Sequence, residues 1–419
     1  LFTVERKRAS TACRCRVVKN LLVALFLAGA TSLVAQQPLS LADATQQGQT
    51  IFEQTGATSM VLVVVRNHES LIKGYGETYP GSAHSPDTHS LIRLCSLSKV
   101  LTADLLLRLV ADGKASLNDP LERYAPPGKH VPVGADGSKI TLLDLATHTS
   151  GLPREVSSYP PKRPHFTFPD YTLRWSWLQK QDLVTPPGTA AVYSNVGFDF
   201  LGDALASASG KSYAQLLHDR LLQPLSMWDT TLVPSFEQCA RLLRGTRNEG
   251  PCTDTLASGA SGGVYSTPAD TVKLLQYLLH IPGSPAQPAT ALDVSLLPHQ
   301  LKSVYGLSHA GDPTGIGLAW IQLGDPNSPS VLMQKTGGGA GFTTYIALSP
   351  SHQTGVFLAV TEGKGEWKVD FFHEGNNLLA ALANVPPLPP RVRHLRVAAK
   401  RPKPHRRPHT TTATAHTGK

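Results

Sequence analysis

Met60 to Arg66 reads Met-Val-Leu-Val-Val-Val-Arg, a β-branched run ended by Asn67-His68, and extended character of comparable strength does not return until Gly317. Leu71 to Tyr75 resumes the pattern, so the first run predicts a hairpin. The late candidates are Gly317 to Gln322, Val331 to Gln334, Phe342 to Leu348 and Gly355 to Thr361, followed by a helix over about Asp370 to Ala383. Between them lie helices and loops. Leu97 to Ala111 is apolar almost all round and closed by Gly113, which predicts a buried helix. Further helices are predicted through Val196 to Ser207, Tyr213 to Leu222, and from Thr267-Pro268 to His280. Strands at both ends with helices between them predict an α/β fold: one sheet built from the two chain ends, carrying a helical insertion at about 115–310.

The net charge of +9 separates into three parts. From Arg391 to the end there are nine Lys/Arg and no acids; the first 35 residues carry +5; Gln36 to Pro390 carries −5. The globular body is therefore mildly acidic, which excludes a nucleic-acid reading of the high pI. The Pro-rich, basic and finally Thr-rich segment 386–419 reads as a disordered tail, able to touch an anionic membrane or envelope polymer.

Arg14, Arg16 and Lys19 precede an apolar run, Leu21 to Ala30, and the small-residue stretch ending Leu33-Val34-Ala35. That run is short for a bilayer and suits a signal peptide over residues 1–35, so export to the periplasm is expected, with the enzyme body at 36–385. Cys13 and Cys15 fall in that segment. Cys239 and Cys252 lie in a polar loop of an exported chain and are expected to form a disulfide, while Cys95 is expected to stay a thiol. There is no Cys-x-x-Cys, His-x-His or His-Glu-x-x-His, so neither a metal site nor a cofactor is expected.

Ser-x-x-Lys occurs twice. In Ser70-Leu-Ile-Lys73 the hairpin places the two side chains on opposite faces, whereas Ser96-Leu-Ser-Lys99 opens the buried helix, where the same spacing puts them on one face. Only the second can bring an amine to a hydroxyl. A serine is a weak nucleophile until a neighbouring base takes its proton, and a helix N-terminus offers N–H groups where an oxyanion would form. Tyr193-Ser-Asn195 adds a phenol able to shuttle a proton and an amide able to hold a substrate peptide. Lys335-Thr336-Gly337, followed by Gly338, Gly339 and Gly341, ends a strand; it offers positive potential, a hydroxyl for a carboxylate, and room for substrate backbone. Each also has a bland alternative: an N-cap serine with a surface lysine, a core tyrosine beside a capping asparagine, and a glycine-rich hairpin.

Together, Ser96-x-x-Lys99, Tyr193-x-Asn195 and Lys335-Thr336-Gly337 resemble the three motifs of the penicillin-binding proteins and serine β-lactamases, and the tyrosine resembles the class C branch. Thr147-His-Thr-Ser-Gly-Leu-Pro153, Pro187-Gly-Thr and Gly262-Gly-Val-Tyr-Ser-Thr-Pro268 extend the match to about 45–385. Tyr124-Ala-Pro-Pro127, Leu152-Pro-Arg154-Glu155 and Gln334-Lys-Thr-Gly-Gly-Gly resemble the D-alanyl-D-alanine carboxypeptidase/endopeptidases of that family. The resemblance implies an antiparallel sheet flanked by helices, with an all-α subdomain inserted and the site between. It implies Ser96 as acylated nucleophile, Lys99 and Tyr193 moving its proton, and the Ser96 and Gly338 N–H groups as oxyanion hole. Asn195, Lys335, Thr336 and Gly337 would bind substrate. Peptidoglycan stem peptides would be substrates, and β-lactams covalent ligands and weak substrates. Cys95 stands where an alanine is usual, and no carboxylate-binding Arg can be placed downstream of Lys335.

Other readings remain. A class A β-lactamase would want a Glu-x-x-x-Asn element, which is missing. A class C-type β-lactamase or a family esterase would use the same residues, and a penicillin-binding sensor or wall-binding module would acylate without turnover. Gly259-Ala-Ser261-Gly-Gly263 matches a nucleophile elbow, but the polar stretch before it is no strand.

Overall fold

The computed structural model describes residues 37–156, 168–246, 250–285, 300–363 and 367–389. The chain divides into two units, 1–37 and 38–419, and the helices and strands of the described residues belong to the second. The expected signal segment and the basic tail from Pro390 onward lie outside the described residues.

In chain order the helices are α1 (Leu41–Thr55), α2 (Ser98–Ala111), α3 (Leu142–Ala146), α4 (Tyr171–Leu178), α5 (Asn195–Ser209), α6 (Tyr213–Leu217), α7 (Phe236–Ala240), α8 (Pro268–Leu278) and α9 (Phe371–Ala383). The strands are β1 (Ser59–Arg66), β2 (Glu69–Gly76), β3 (Ile92–Arg93), β4 (Ala191–Val192), β5 (Tyr265–Ser266), β6 (Val304–Tyr305), β7 (Gly315–Ile316), β8 (Ile321–Leu323), β9 (Leu332–Gly339), β10 (Phe342–Ser349) and β11 (Thr354–Thr361).

Seven strands form one sheet in the order β2-β1-β11-β10-β9-β8-β7, and every pairing in it is antiparallel. The pairing of β1 with β11, Met60 opposite Val360, joins the two chain ends. The fold is thus the expected α/β arrangement, an antiparallel sheet flanked by helices and built from both ends, with α3 to α7 lying between the two sets of strands in sequence.

The unbroken apolar run of β1 follows from its place in the sheet's interior. Val61, Val63 and Val65 belong to one core with α2, α5 and α8, whereas Met60, Leu62 and Val64 belong to the opposite core with α1 and α9. Alternate side chains of a strand face opposite sides, so a strand covered on both faces needs apolar residues throughout. Truncating Val63 to Ala costs about 2 kcal/mol by the usual scale for buried methyl groups.

The structure adds one helix that was not expected and departs from two local expectations. Leu41–Thr55 is a helix, capped by the Ser40 side chain, which accepts from Asp43 N at 3.1 Å; its mixed polar sequence hid it. Gly317 to Gln322 is not one strand, because Gly317 N donates to Trp320 O at 2.8 Å and Ala319 turns the chain at φ +64°. That turn contains a left-handed alanine, where sequence preference favours Gly or Asn. Tyr213 to Leu222 starts as α6 and continues as a π-helical turn over His218–Leu222.

Candidate active site

Ser96 sits in a single 3-10 turn, Cys95–Leu97, that leads directly into α2. Cys95 reverses the chain there at φ +52°, an unusual conformation for a residue with a Cβ, and neighbouring segments hold it in place. Leu94 N donates to Val264 O at 2.9 Å, and Leu94 O accepts from Thr344 Oγ1 at 2.9 Å. The Cys95 thiol donates to Gly339 O at 3.3 Å, and Ser98 Oγ donates to Cys95 O at 2.7 Å. The turn is therefore clamped between the β9–β10 pair and the segment before β5. Gly337 permits the approach: a Cβ there would stand 2.2 Å from Thr344 Oγ1 and 2.9 Å from Leu94 O.

One turn along α2, Lys99 is fully buried. Its Nζ has an acceptor for each of the three protons an ammonium carries: Ser96 Oγ at 3.4 Å, Asn195 Oδ1 at 2.6 Å, and Ser261 O. Asn195 is engaged at its other end too, because Nδ2 donates to Glu155 Oε1 at 2.5 Å.

Tyr193 enters from the short parallel pairing of β4 with β6; its N–H donates to Tyr305 O at 3.0 Å. Ser194 then caps α5, accepting from Gly197 N at 2.9 Å while donating to Pro153 O at 2.7 Å. The cap directs the Tyr193 hydroxyl onto Ser96, where it donates to Oγ at 2.5 Å. Three basic side chains lie beside the phenol ring: Lys99 Nζ and Arg154 Cζ at 5.0 Å and Lys335 Nζ at 5.1 Å from its centroid.

Lys335, on β9, is 2% exposed. Burial, reinforced by the Lys99 cation, holds its amine well below the ordinary lysine range. Its Nζ lies 3.5 Å from His148 Nε2. His148 is buried against the rings of Tyr193 (4.6 Å) and Phe198 (4.9 Å). Burial first, and then the cations of Lys335, Lys99 and Arg154, push the imidazole well below its usual pKa. Thr336 is half-buried, and Gly338 and Gly339 are exposed at the end of β9.

The structure thus brings together Ser96, Lys99, Tyr193, Asn195 and Lys335, from α2, the β4–α5 junction and β9. It does not bring Ser70 or Lys73 to them: both are exposed on β2, the edge strand at the sheet's far end. Ser261 contributes its carbonyl to Lys99, while its hydroxyl lies buried, 3.4 Å from Ser258 O. Cys239 and Cys252 are disulfide-bonded with Cα atoms 5.6 Å apart, and the Cys95 thiol is free, buried, and pushed up to about 12 by desolvation. Among the described residues no cluster of His, Cys, Asp or Glu could hold a metal ion.

Four participants escaped the sequence reading as site residues: His148, Arg154, Glu155 and the Ser261 carbonyl. His148, Arg154 and Glu155 lie within the family-like stretches Thr147-His-Thr-Ser-Gly-Leu-Pro153 and Leu152-Pro-Arg-Glu155, which were the available signal. A backbone carbonyl carries none.

An antiparallel sheet flanked by helices, with a serine–lysine–tyrosine cluster at the head of a buried helix, is the arrangement of a serine hydrolase of the β-lactamase fold. The chain belongs to the β-lactamase family: the family model described as Beta-lactamase matches residues 41–381. It is 41% identical over 344 residues to the D-alanyl-D-alanine-carboxypeptidase/endopeptidase AmpH of Escherichia coli K12, covering 80% of this chain and 89% of that protein. Among solved structures it is similar to a β-lactamase/D-alanine carboxypeptidase from Yersinia pestis complexed with citrate. That match has a TM-score of 0.77 and 40% identity, over 82% of this chain and 99% of the other. A class C β-lactamase from Rhodobacter sphaeroides shares the fold, with a TM-score of 0.64 and 21% identity over 80% of this chain and 97% of the other.

Proposed function

We propose that the chain is an exported peptidoglycan D-alanyl-D-alanine carboxypeptidase and DD-endopeptidase that works through a Ser96 acyl-enzyme, binds penicillins covalently and hydrolyses β-lactams weakly. The observation that carries the reading is the placement of Ser96 Oγ within reach of both Tyr193 Oη (2.5 Å) and Lys99 Nζ (3.4 Å). The kinship with AmpH supports the substrate class.

In the form of the Lys99–Tyr193 pair that has lost one proton to solvent, Ser96 Oγ attacks the carbonyl of the penultimate D-Ala, and its proton passes into the pair as the bond forms. The tetrahedral oxyanion takes hydrogen bonds from the Ser96 and Gly338 N–H groups. Tyr193 Oη then gives a proton to the departing amine, which is D-Ala or the cross-bridging residue, and the C–N bond breaks to leave the acyl ester. Water, deprotonated by the same pair, releases the acyl group. Asn195, tied to Lys99 and Glu155, orients the lysine and borders the substrate peptide. Lys335 and Thr336 receive the substrate carboxylate, and Gly337 keeps β9 close to Ser96.

The test is a chromatographic digest of pentapeptide and cross-linked muropeptides run beside a chromogenic cephalosporin assay. Release of D-Ala and cleavage of cross-bridges, with slow cephalosporin turnover, is the expected result. Fast cephalosporin turnover with untouched muropeptides would move the assignment to a class C-type β-lactamase. Covalent labelling by penicillin with no release of D-Ala would move it to a sensor.

A further inference from the structure

His148 Nδ1 accepts the backbone N–H of Ser194 at 3.1 Å. A nitrogen that accepts carries no proton, so the neutral ring has its hydrogen on Nε2. That Nε2 faces Lys335 Nζ at 3.5 Å, with both residues buried. An ammonium there would set one N–H donor against another at a buried contact. The contact becomes a hydrogen bond only when Nζ is an amine whose lone pair accepts Nε2–H.

The surroundings favour the same arrangement. The ionisable groups facing this pair are Lys99 on α2, Arg154 in the loop after α3, and the Tyr193 phenol at the head of α5, whose ring packs tilted against the imidazole. With Lys335 an amine, the charged groups that act on the pair are the Lys99 and Arg154 cations, which oppose a positive charge on either member.

We propose that His148 is a positioning residue that keeps Lys335 as a neutral amine in the free protein, so that an anion arriving beside Lys335 binds together with a proton taken from solvent. On binding, the lone pair of Nζ takes that proton, and the new ammonium turns from His148 Nε2–H to the anion. His148 keeps its own proton throughout. The positive charge that recognises the substrate carboxylate is thus made when the carboxylate arrives, instead of standing uncompensated beside Lys99. This role of His148 rests on the reading of Lys335 as the carboxylate-binding residue.

Two measurements on the full chain test it. In the first, the protein carries 15N-histidine, and imidazole spectra are recorded from pH 6 to 8. The His148 signals, identified by their loss in His148→Gln or by their movement in Lys335→Met, are expected in the Nε2–H form throughout. An imidazolium or an Nδ1–H ring would overturn the inference.

In the second, Ser96→Ala protein is titrated calorimetrically with benzylpenicillin at pH 7.5 in buffers of different ionisation enthalpy. Uptake of about one proton per ligand bound is expected. In Ser96→Ala/His148→Gln the glutamine carbonyl can accept from an ammonium, so uptake should fall towards zero. Binding without uptake, or unchanged uptake in the double variant, would refute the role of His148. If penicillin does not bind at all, the functional reading fails on its own, and the ring spectra still decide the state of His148.

Discussion

The Tyr193 hydroxyl donates to Ser96 Oγ at 2.5 Å, and the Tyr193 ring packs against the imidazole of His148, with the amino groups of Lys99 and Lys335 5.0 and 5.1 Å from its centroid. One side chain therefore has two separable parts, a hydroxyl on Ser96 and a ring packed beside His148 and the two lysines.

Tyr193→Phe keeps the ring and removes the hydroxyl. Acylation by a fluorescent penicillin should slow by about 10²- to 10⁴-fold, the usual contribution of a positioned acid–base group, with thermal stability nearly unchanged. Ser96→Ala should abolish the covalent mass shift seen on intact protein, and Ser70→Ala should leave it in place. An unmodified wild-type protein after incubation would remove Ser96 as nucleophile.

Gly337→Ala tests the clamp between β9 and the turn that carries Ser96. The new methyl would stand 2.2 Å from Thr344 Oγ1 and 2.9 Å from the Leu94 carbonyl, so the Thr344–Leu94 hydrogen bond must break or β9 must move away. Penicillin labelling should drop at least 10-fold, by about the 1.4 kcal/mol or more that such overpacking costs. Labelling at the wild-type rate would show that the spacing of β9 from Ser96 is not critical.

Asp199, on the buried face of α5, is pushed up to about 7, chiefly by desolvation and only partly offset by Arg174. In the unfolded chain an aspartate titrates near 3.9. Between those values the folded state binds the extra proton, so this residue makes stability fall as pH rises from about 4 to 7. Asp199→Asn should remove that slope and raise stability at pH 8 relative to wild type, by on the order of 4 kcal/mol at most. Urea unfolding at pH 5 and pH 8 measures the difference; a larger gain at pH 5 would contradict the assignment.

The Cys239–Cys252 bond closes a sequence separation of 13 residues, and its removal should cost about 3 kcal/mol by the chain-entropy estimate. Cys95, buried and with its thiol at about 12, should resist a thiol reagent at pH 8 until denaturant is added. Rapid labelling of Cys95 in the native protein, or non-reducing peptide maps showing it in a disulfide, would refute this.

Features within a single element were legible in the residues themselves. The β-branched run Met60 to Arg66 and its resumption at Leu71 to Tyr75 implied a hairpin. The spacing of Ser96 and Lys99 on a helix put amine and hydroxyl on one side, whereas the same spacing at Ser70 and Lys73 on a strand could not. The partition of charge assigned the basicity to the two ends. Tyr193 and Lys335 were legible through motifs whose flanks matched a family, although nothing local brings them to Ser96.

The tertiary structure decided which atoms meet across long stretches of chain. Lys335 faces His148 across 187 residues, and Lys99 binds the Ser261 carbonyl across 162. Asn195 turns its carbonyl to Lys99 and its amide to Glu155. Periodicity dictates neighbours within a helix or strand because the backbone repeat is fixed. Contacts such as these arise only when elements distant in sequence pack together, so their partners follow from packing and burial, which no local pattern records.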